Sequence, residues 1–489
     1  MATRKSTPTA SRKKTSAPPS ASTARPLRTS LTCAQLRAAF LRLIRHPDLK
    51  AALELTQLTF YQRIFSVWVT FWLFLLQRIK TDSSLDGLVG DVHEGVADRI
   101  GKKAGARPLS QRLRSSATAS LCDARKRLPQ PLLVRALSAQ TKEIWALAQG
   151  MDWHGLRVIL LDGSTVRLRP YGNVSKHYPA HASGKAGYWC LMRVVVGFCL
   201  HSGVVVGSAF ASKHVGEQAL ACSLLMQAAL PSALYLGDRN FGVFRLVQAV
   251  VHGKANVLVR LTDVRARKIL GKKRLIAGDY QVSWAHSAND TLQKECSAKP
   301  IEGRVMVVPL GGRGWRCRRL CLFTTLRDSQ LYTLPELVEL YGQRWQVEIN
   351  LRYLKTQMNL HELGCKSADM DEKEWLAGLL AYNLIRTVMV AAAAQNHLSV
   401  LELSFSSARR RVLEFVRQLG MGHSHLSARW NKLLSALAAR RLPKRKQPRQ
   451  NEPRLQRLVC KKFKILRGSR DAARRRLNRK PTPKPALNS

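Results

Sequence analysis

A chain of 489 residues, 45% of them hydrophobic, carries enough apolar mass for about two to four domains with a sizeable core, which excludes a wholly disordered polypeptide. Its charge is the anomaly: 81 Lys and Arg against 31 Asp and Glu leave +50 at pH 7. Such an excess repels itself unless a polyanion neutralises part of it, so nucleic acid is the first expected partner and an anionic membrane the second. The ten cysteines are scattered. Cys317 and Cys321 are the closest pair, with no second pair or His doublet to complete a zinc site, so reduced thiols in a cytoplasmic protein are expected. The opening MATRKSTPTASRKK is basic but lacks the apolar stretch of a secretory signal.

In chain order, residues 1–30 hold seven Lys/Arg and no acid, a composition expected to stay disordered and to touch phosphates without reading sequence. Residues 31–150 read as a helical DNA-binding domain. Leu36, Phe40, Leu43 and Ile44 share one helical face. The apolar run 65–76 is short against the roughly 20 residues a membrane span needs, which predicts a buried helix rather than a membrane-associated one. Segment 115–129 reads as a small-residue helix that carries Arg125, Lys126 and Arg127 and stops before Pro129. That pattern fits a helix-turn-helix-like DNA reader and equally a bundle helix with a basic face.

Residues 151–395 read as a mixed α/β sheet with helices on its faces. A strand over 156–161 runs into Asp162-Gly163-Ser164-Thr165, where a turn is expected to present Asp162 at the strand's end. A hairpin follows, 188–200 and 204–211 through His201-Ser202-Gly203. Next come a helix near 217–230, a short strand ending at Gly237-Asp238-Arg239, a helix over 241–251 and a strand over 256–261. Residues 262–332 read as a β-rich insertion with strands around 280–284, 305–310 and 318–325. Segment 375–394 is strongly apolar, but Asn383 and Arg386 interrupt it, which predicts a core helix and no membrane span. Residues 396–439 read as a helical C-terminal region. Residues 440–489 read as a basic tail with 19 Lys/Arg against two acids and one short helix near 455–466. No internal repeat and no nucleotide-binding glycine loop stands out, so no nucleotide cofactor is expected.

Between the insertion and that core helix lies YGQRWQVEINLRYLK, residues 341–355. Thr333 and Glu336 form a capping-box pattern upstream, with Pro335 in the first turn. At about 100° per residue, with Arg344 at 0°, Lys355 falls near ~20°, Glu348 near ~40° and Tyr341 near ~60°. One stripe thus carries a phenol, a guanidinium, a carboxylate and an ammonium. Val347, Leu351, Leu354 and Met358 make the neighbouring apolar stripe. If the strands ending at Asp162 and Asp238 are neighbours, about 5 Å apart, a helix crossing that edge can add Glu348. Three clustered carboxylates need cations, and two Mg²⁺ ions, with Mn²⁺ a workable substitute, suit in-line phosphoryl displacement.

These residues resemble the DDE transposases of bacterial insertion sequences, specifically the IS-four family. Its mark, Y-(2)-R-(3)-E-(6)-K, is matched by Tyr341, Arg344, Glu348 and Lys355 without a gap. The contexts LLDGSTV around Asp162 and LGDRNFGVF around Asp238 resemble the family's two aspartate motifs. The resemblance covers roughly 110–395 and implies an RNase H-like core performing cut-and-paste transposition. It implies that Asp162, Asp238 and Glu348 hold the metals and that Tyr341, Arg344 and Lys355 grip phosphates at the transposon end. Apart from the resemblance, Arg239 and the basic triplet Arg125, Lys126 and Arg127 are expected as further DNA contacts. A tryptophan of the insertion, Trp284 or Trp315, is implied to stack on a flipped base, although packing is the commoner use of each. The implied partners are double-stranded DNA, as element ends and target, and a second copy of the chain on paired ends, in the bacterial cytoplasm at the nucleoid. The competing reading is a catalytically retired, transposase-derived or nucleoid-type DNA-binding protein.

Overall fold

The structure is a computed structural model that describes residues 64–80, 84–100, 107–147, 152–182, 186–287, 299–310, 319–422 and 424–443, together with Asp471, Ala472 and Arg475. The expected N-terminal tail, the helix around Leu36–Ile44, Trp315 and nearly all of the basic tail lie outside the described residues.

The apolar run near the N-terminus forms α1 (Val67–Ile79), started by the Ser66 hydroxyl accepting from the Val69 N–H and buried along its length. Helices α2 (Leu85–His93), α3 (Ala119–Arg127) and α4 (Gln130–Leu147) follow. These helices were expected as a separate domain, but they belong to the same unit as the sheet. The reason is a set of buried polar ties. Arg78 and Arg125 both reach Glu374, the Gln140 side chain donates to the Leu380 carbonyl at 3.3 Å, and Thr141 Oγ1 donates to the Val205 carbonyl at 3.3 Å.

The sheet begins with β1 (Arg157–Leu168), β2 (Ala180–Ala182), β3 (Ala186–Cys199) and β4 (Val205–Ser212). Helix α5 (Glu217–Ala228) leads to β5 (Ala233–Gly237), and α6 (Phe244–His252) leads to β6 (Asn256–Arg260). Strand β3 pairs antiparallel with both β1 and β4, while β5 runs parallel to β1 and β6 parallel to β5. The parallel strands are near-continuous apolar runs, as burial on both faces requires.

The insertion contains a helix that strand reading missed, α7 (Asp263–Leu270), capped by the Thr262 hydroxyl. Its strands β7 (Gly278–Trp284), β8 (Ile301–Pro309) and β9 (Arg319–Thr324) extend the same sheet, because β9 pairs antiparallel with β6. The order is β2-β3-β1-β5-β6-β9-β8-β7, with β4 on β3 and the two-residue β10 (Glu362–Leu363) on the far end of β1.

Helix α8 (Leu334–Gly342) starts at the expected Thr333–Glu336 capping box. One continuous helix was expected through Lys355, and the chain departs from that. It passes through a 3₁₀ turn (Gln343–Trp345), a short α9 (Gln346–Arg352) and a π-helical turn (Tyr353–Gln357). Helix α10 (Ala368–Gln395) is long and apolar enough to cross a membrane, yet its apolar window is wholly buried within the protein. The two polar residues that interrupt it are used inside. Asn383 exchanges two 2.9 Å hydrogen bonds with the Val205 backbone, and Arg386 bonds Asn350 and Tyr382. Helices α11 (Phe405–Met421) and α12 (Leu426–Ala438) complete the expected helical C-terminal region. Of the second unit, residues 310–318 and 446–489, only Leu310, Asp471, Ala472 and Arg475 are described.

Candidate active site

Strands β1 and β5 pair in parallel up to Leu160 opposite Leu236. Asp162 and Asp238 each lie two residues further on, so they hold equivalent positions at the edge where the parallel ladder stops. Asp162 was expected at a turn ending its strand. Instead β1 continues to Leu168, because β3 supplies an unbroken partner ladder from Ile159 through Leu168, Asp162 lying opposite Val196. The aspartate is therefore held in mid-strand, at the point where β1 loses one neighbour and keeps the other.

The local bonds are short. Asp162 Oδ1 accepts from the Gly163 N–H at 2.9 Å, and Asp238 Oδ1 accepts from the Asn240 N–H at 2.8 Å. Burial pushes the Asp162 carboxyl up to about 6; the Gly163 bond and Arg344 pull it down, and the charges of Asp238 and Glu217 push it further up. This is a carboxylate short of positive charge. Gly163 is needed for a steric reason: a Cβ there would lie 2.4 Å from the Glu217 Cδ. The missing side chain admits Glu217, at the start of α5, to the carboxylate edge, where Asn240 Nδ2 donates to its Oε1 at 3.1 Å.

The broken helix brings its polar residues to the same edge. Burial pushes the Tyr341 phenol up to about 12, and the charges acting on it come from Arg344, Arg260 and Asp238, with Arg344 also bonded to its hydroxyl. Arg344 Nη2 donates to Glu348 Oε1 at 3.3 Å, and the Glu348 side chain is 67% exposed. Lys355 Nζ donates to Ser164 Oγ at 3.2 Å, two residues beyond Asp162 on β1. In the π-helical turn that carries Lys355, the Met358 N–H reaches back five residues to the Tyr353 carbonyl at 3.0 Å. Such turns concentrate at functional sites.

Other expected contacts sit elsewhere. Arg125 is buried, ion-paired to Glu374 and over the Phe74 ring, so it is no phosphate reader. Lys126 and Arg127 are exposed on α3, Lys126 pairing with Asp123 at 3.0 Å. Arg239 is exposed beside Asp238. Trp284 is a packing residue, edge-on to Phe323 and Phe244 and nearly inaccessible. Among the described residues the exposed indole is Trp345, 56% accessible and next to Arg344. Pattern reading singled out neither Trp345 nor Glu217, Asn240 and Arg260. Two of these had a signal: Trp345 lies inside the Tyr-Arg-Glu-Lys mark, and Arg260 ends the strand beside Asp238, since Gly237 pairs with Val259.

The site offers carboxylate oxygens, the donors that hard divalent cations take. Among the described residues no three His, Cys, Asp or Glu side chains are gathered closely enough to hold a metal ion. Asp162 and Asp238 form the fitting pair, and Glu348 sits on Arg344.

Three similarities to known proteins are found. A family model described as "Transposase DDE domain" matches residues 153–384. "Transposase InsG for insertion sequence element IS4", of Escherichia coli (strain K12), is 25% identical over 312 residues, which is 62% of this chain and 68% of that protein. A cryo-EM structure of the piggyBac transposase synaptic complex with hairpin DNA aligns over 86% of this chain and 88% of that one, with 9% identity and a TM-score of 0.41. Residues 153–384 thus match a transposase DDE domain, and the chain is similar to the DDE transposases of the IS-four family, enzymes that cleave DNA and transfer its strands with the help of a divalent metal.

Proposed function

We propose that this chain moves an insertion sequence by cut-and-paste, binding the terminal inverted repeats, cutting at them and joining the ends to target DNA. One observation carries the reading: Asp162 and Asp238 share a register at the end of the β1–β5 ladder, and the broken helix delivers Tyr341, Arg344 and Lys355 to that edge. The strand order β4-β3-β1-β5-β6, antiparallel through β1 and parallel beyond it, supports an RNase H-like core.

Asp162, Asp238 and Glu348 would hold two Mg²⁺ ions, which supply charge neutralisation and an activated water or 3′-hydroxyl. Tyr341, Arg344, Lys355 and Arg260 would hold the terminal phosphates, a guanidinium matching two phosphate oxygens at once. In the DNA-free chain Arg344 is engaged by Glu348 and Lys355 by Ser164. Phosphate draws both cations off these partners, which frees the Glu348 carboxylate for its role as the third acid. Trp345, exposed beside Arg344, offers a stacking face to an unpaired base. Two copies of the chain on paired ends are the simplest assembly, and +50 per chain opposes pairing until DNA neutralises it. The bacterial cytoplasm, at the nucleoid, is the compartment where such a substrate lies.

The experiment is cleavage of a supercoiled plasmid carrying the element's two ends, with Mg²⁺ and with chelator. Release of the element with Mg²⁺ alone, lost in Asp162→Asn, is the expected result. End binding with no cleavage under any divalent ion would replace this reading with that of a retired DNA-binding protein.

A further inference from the structure

We infer that Arg386 is a positioning residue for Glu348, acting through Asn350; the inference rests on the proposed catalytic role of Glu348. Arg386 is 1% exposed and has no carboxylate partner among the described residues. Three rings surround its guanidinium, with Tyr353 and Tyr382 each at 5.3 Å and Phe405 at 5.2 Å. Its Nε donates to the Tyr382 hydroxyl at 2.9 Å, and its Nη2 donates to Asn350 Oδ1 at 2.8 Å. The Tyr382 hydroxyl in turn donates to the Gly203 carbonyl in the β3–β4 turn at 2.8 Å. Gly203 has φ +68, and a Cβ there would lie 2.7 Å from the Arg386 Cζ, so the turn leaves room for the guanidinium.

Burying an arginine without a counter-ion is costly, and cation–π contacts offset only part of that cost. A leucine or methionine would fill the space more cheaply, so stability alone does not account for Arg386. What the arginine adds is a tie across three elements: the β3–β4 turn, α10 and α9. Helix α9 has seven residues, with a 3₁₀ turn before it and a π-helical turn after it. Neither flank fixes its rotation as a continuous α-helix would. Asn350, fully buried and two residues past Glu348, is where α10 takes hold of it. The tie sets the rotation of α9, and with it the direction of Glu348 toward Asp162 and Asp238.

The test leaves Arg386 in place and changes its acceptor, since Arg386→Ala alone can fail to fold. Asn350→Leu keeps the size and removes the acceptor oxygen; Asn350→Asp keeps the oxygen. Expected for Asn350→Leu are cleavage down about tenfold or more, a several-fold higher Mg²⁺ concentration at half-maximal cleavage, and metal-free end binding within about twofold of the parent. Asn350→Asp should stay within about threefold of the parent in all three. The double variant Arg386→Met/Asn350→Leu, an apolar pair, should regain the melting temperature without regaining cleavage. Recovery of both would show a merely structural role and overturn the inference, as would parental cleavage by Asn350→Leu. Glu348→Gln is assayed alongside. If it cleaves, the reading of Glu348 fails and the inference falls with it; if it is inactive while Asn350→Leu cleaves normally, the inference alone fails.

Discussion

Glu374 meets two arginines in the interior, Arg78 on one oxygen at 3.0 Å and Arg125 on the other, and all three side chains are under 10% exposed. Glu348 meets one arginine, Arg344, and is 67% exposed. Burial alone would raise the Glu374 carboxyl, but the two guanidinium groups outweigh it and the net shift is downward. That cluster is closed: the cations serve to pin α1 and α3 to α10. The Arg344–Glu348 pair is open, because each partner has capacity left for something outside the chain. Residue types are alike in the two places, and exposure decides whether an ion pair holds the fold or waits for a ligand.

The comparison is broken most severely at the carboxylate edge itself. Asp238→Asn should lower cleavage by about 10³-fold or more, because on the proposed function it removes a carboxylate that would hold metal and forfeits several kcal/mol of charge stabilisation. End binding, measured by gel shift without metal, should stay within a few-fold, since carboxylates do not attract phosphate. Next in size is the closed cluster. Glu374→Leu leaves Arg78 and Arg125 buried and unpaired, at a cost of about 3–5 kcal/mol seen as a fall in melting temperature. Glu348→Gln should leave the melting temperature unchanged and abolish cleavage. If the two variants exchanged these effects, the assignment of closed and open pairs would be reversed.

The same contrast explains what could be read in the chain beforehand. The positions of Asp162, Asp238 and the Tyr-Arg-Glu-Lys mark could be picked out because residue identity and spacing are written in the chain, while the roles given them rest on the proposed function. The alternation of strands and helices from 156 to 261 was legible because periods of two and of 3.6 residues differ plainly. Arg125 was misread because a basic triplet before a proline looks solvated, and its partner lies 249 residues away. The 3₁₀ and π-helical turns carry no residue signature, so a uniform turn of about 100° per residue concealed them. Asp162-Gly163 looked like a turn because the reason for the glycine, the approach of Glu217, is tertiary.

A further variant tests whether burial without a cation behaves as argued. Asp371 is fully buried beside Glu374; burial pushes its carboxyl up to about 7, the Cys365 N–H opposes this, and Glu374 adds to it. A carboxyl raised in the fold keeps its proton after the unfolded chain has lost it near pH 4. Its contribution to stability is thus complete below that pH and is lost as pH rises to about 7, the reverse of the Glu374 case. Asp371→Asn should therefore match the parent near pH 4 and exceed it at pH 8, by up to about 4 kcal/mol on the ordinary conversion of such a shift. Melting curves across that range would show it, and a variant less stable than the parent at pH 8 would contradict it.

Within the open pair, Arg344→Ala and Lys355→Ala should each weaken end binding by about 1–3 kcal/mol, the worth of a charged hydrogen bond to phosphate. Footprints that still protect the terminal nucleotides in these variants would remove both residues from the end.

Tyr341→Phe should be the mildest change, because the ring is already core and only its hydroxyl faces the edge. Tyr341 is buried on α8, so phenylalanine keeps the packing and removes the bond to Arg344. With the phenol held up at about 12, the hydroxyl is neutral throughout the working pH range and acts only as a dipole that orients Arg344. Losing one neutral partner of this kind costs about 0.5–1.5 kcal/mol, a few-fold to roughly tenfold in end affinity. The ratio of parental to variant affinity should not change between pH 6 and pH 9. A ratio that grew steadily with pH would mean that the phenol ionises at the site, and Arg344 would then be held by a phenolate and not by a hydroxyl.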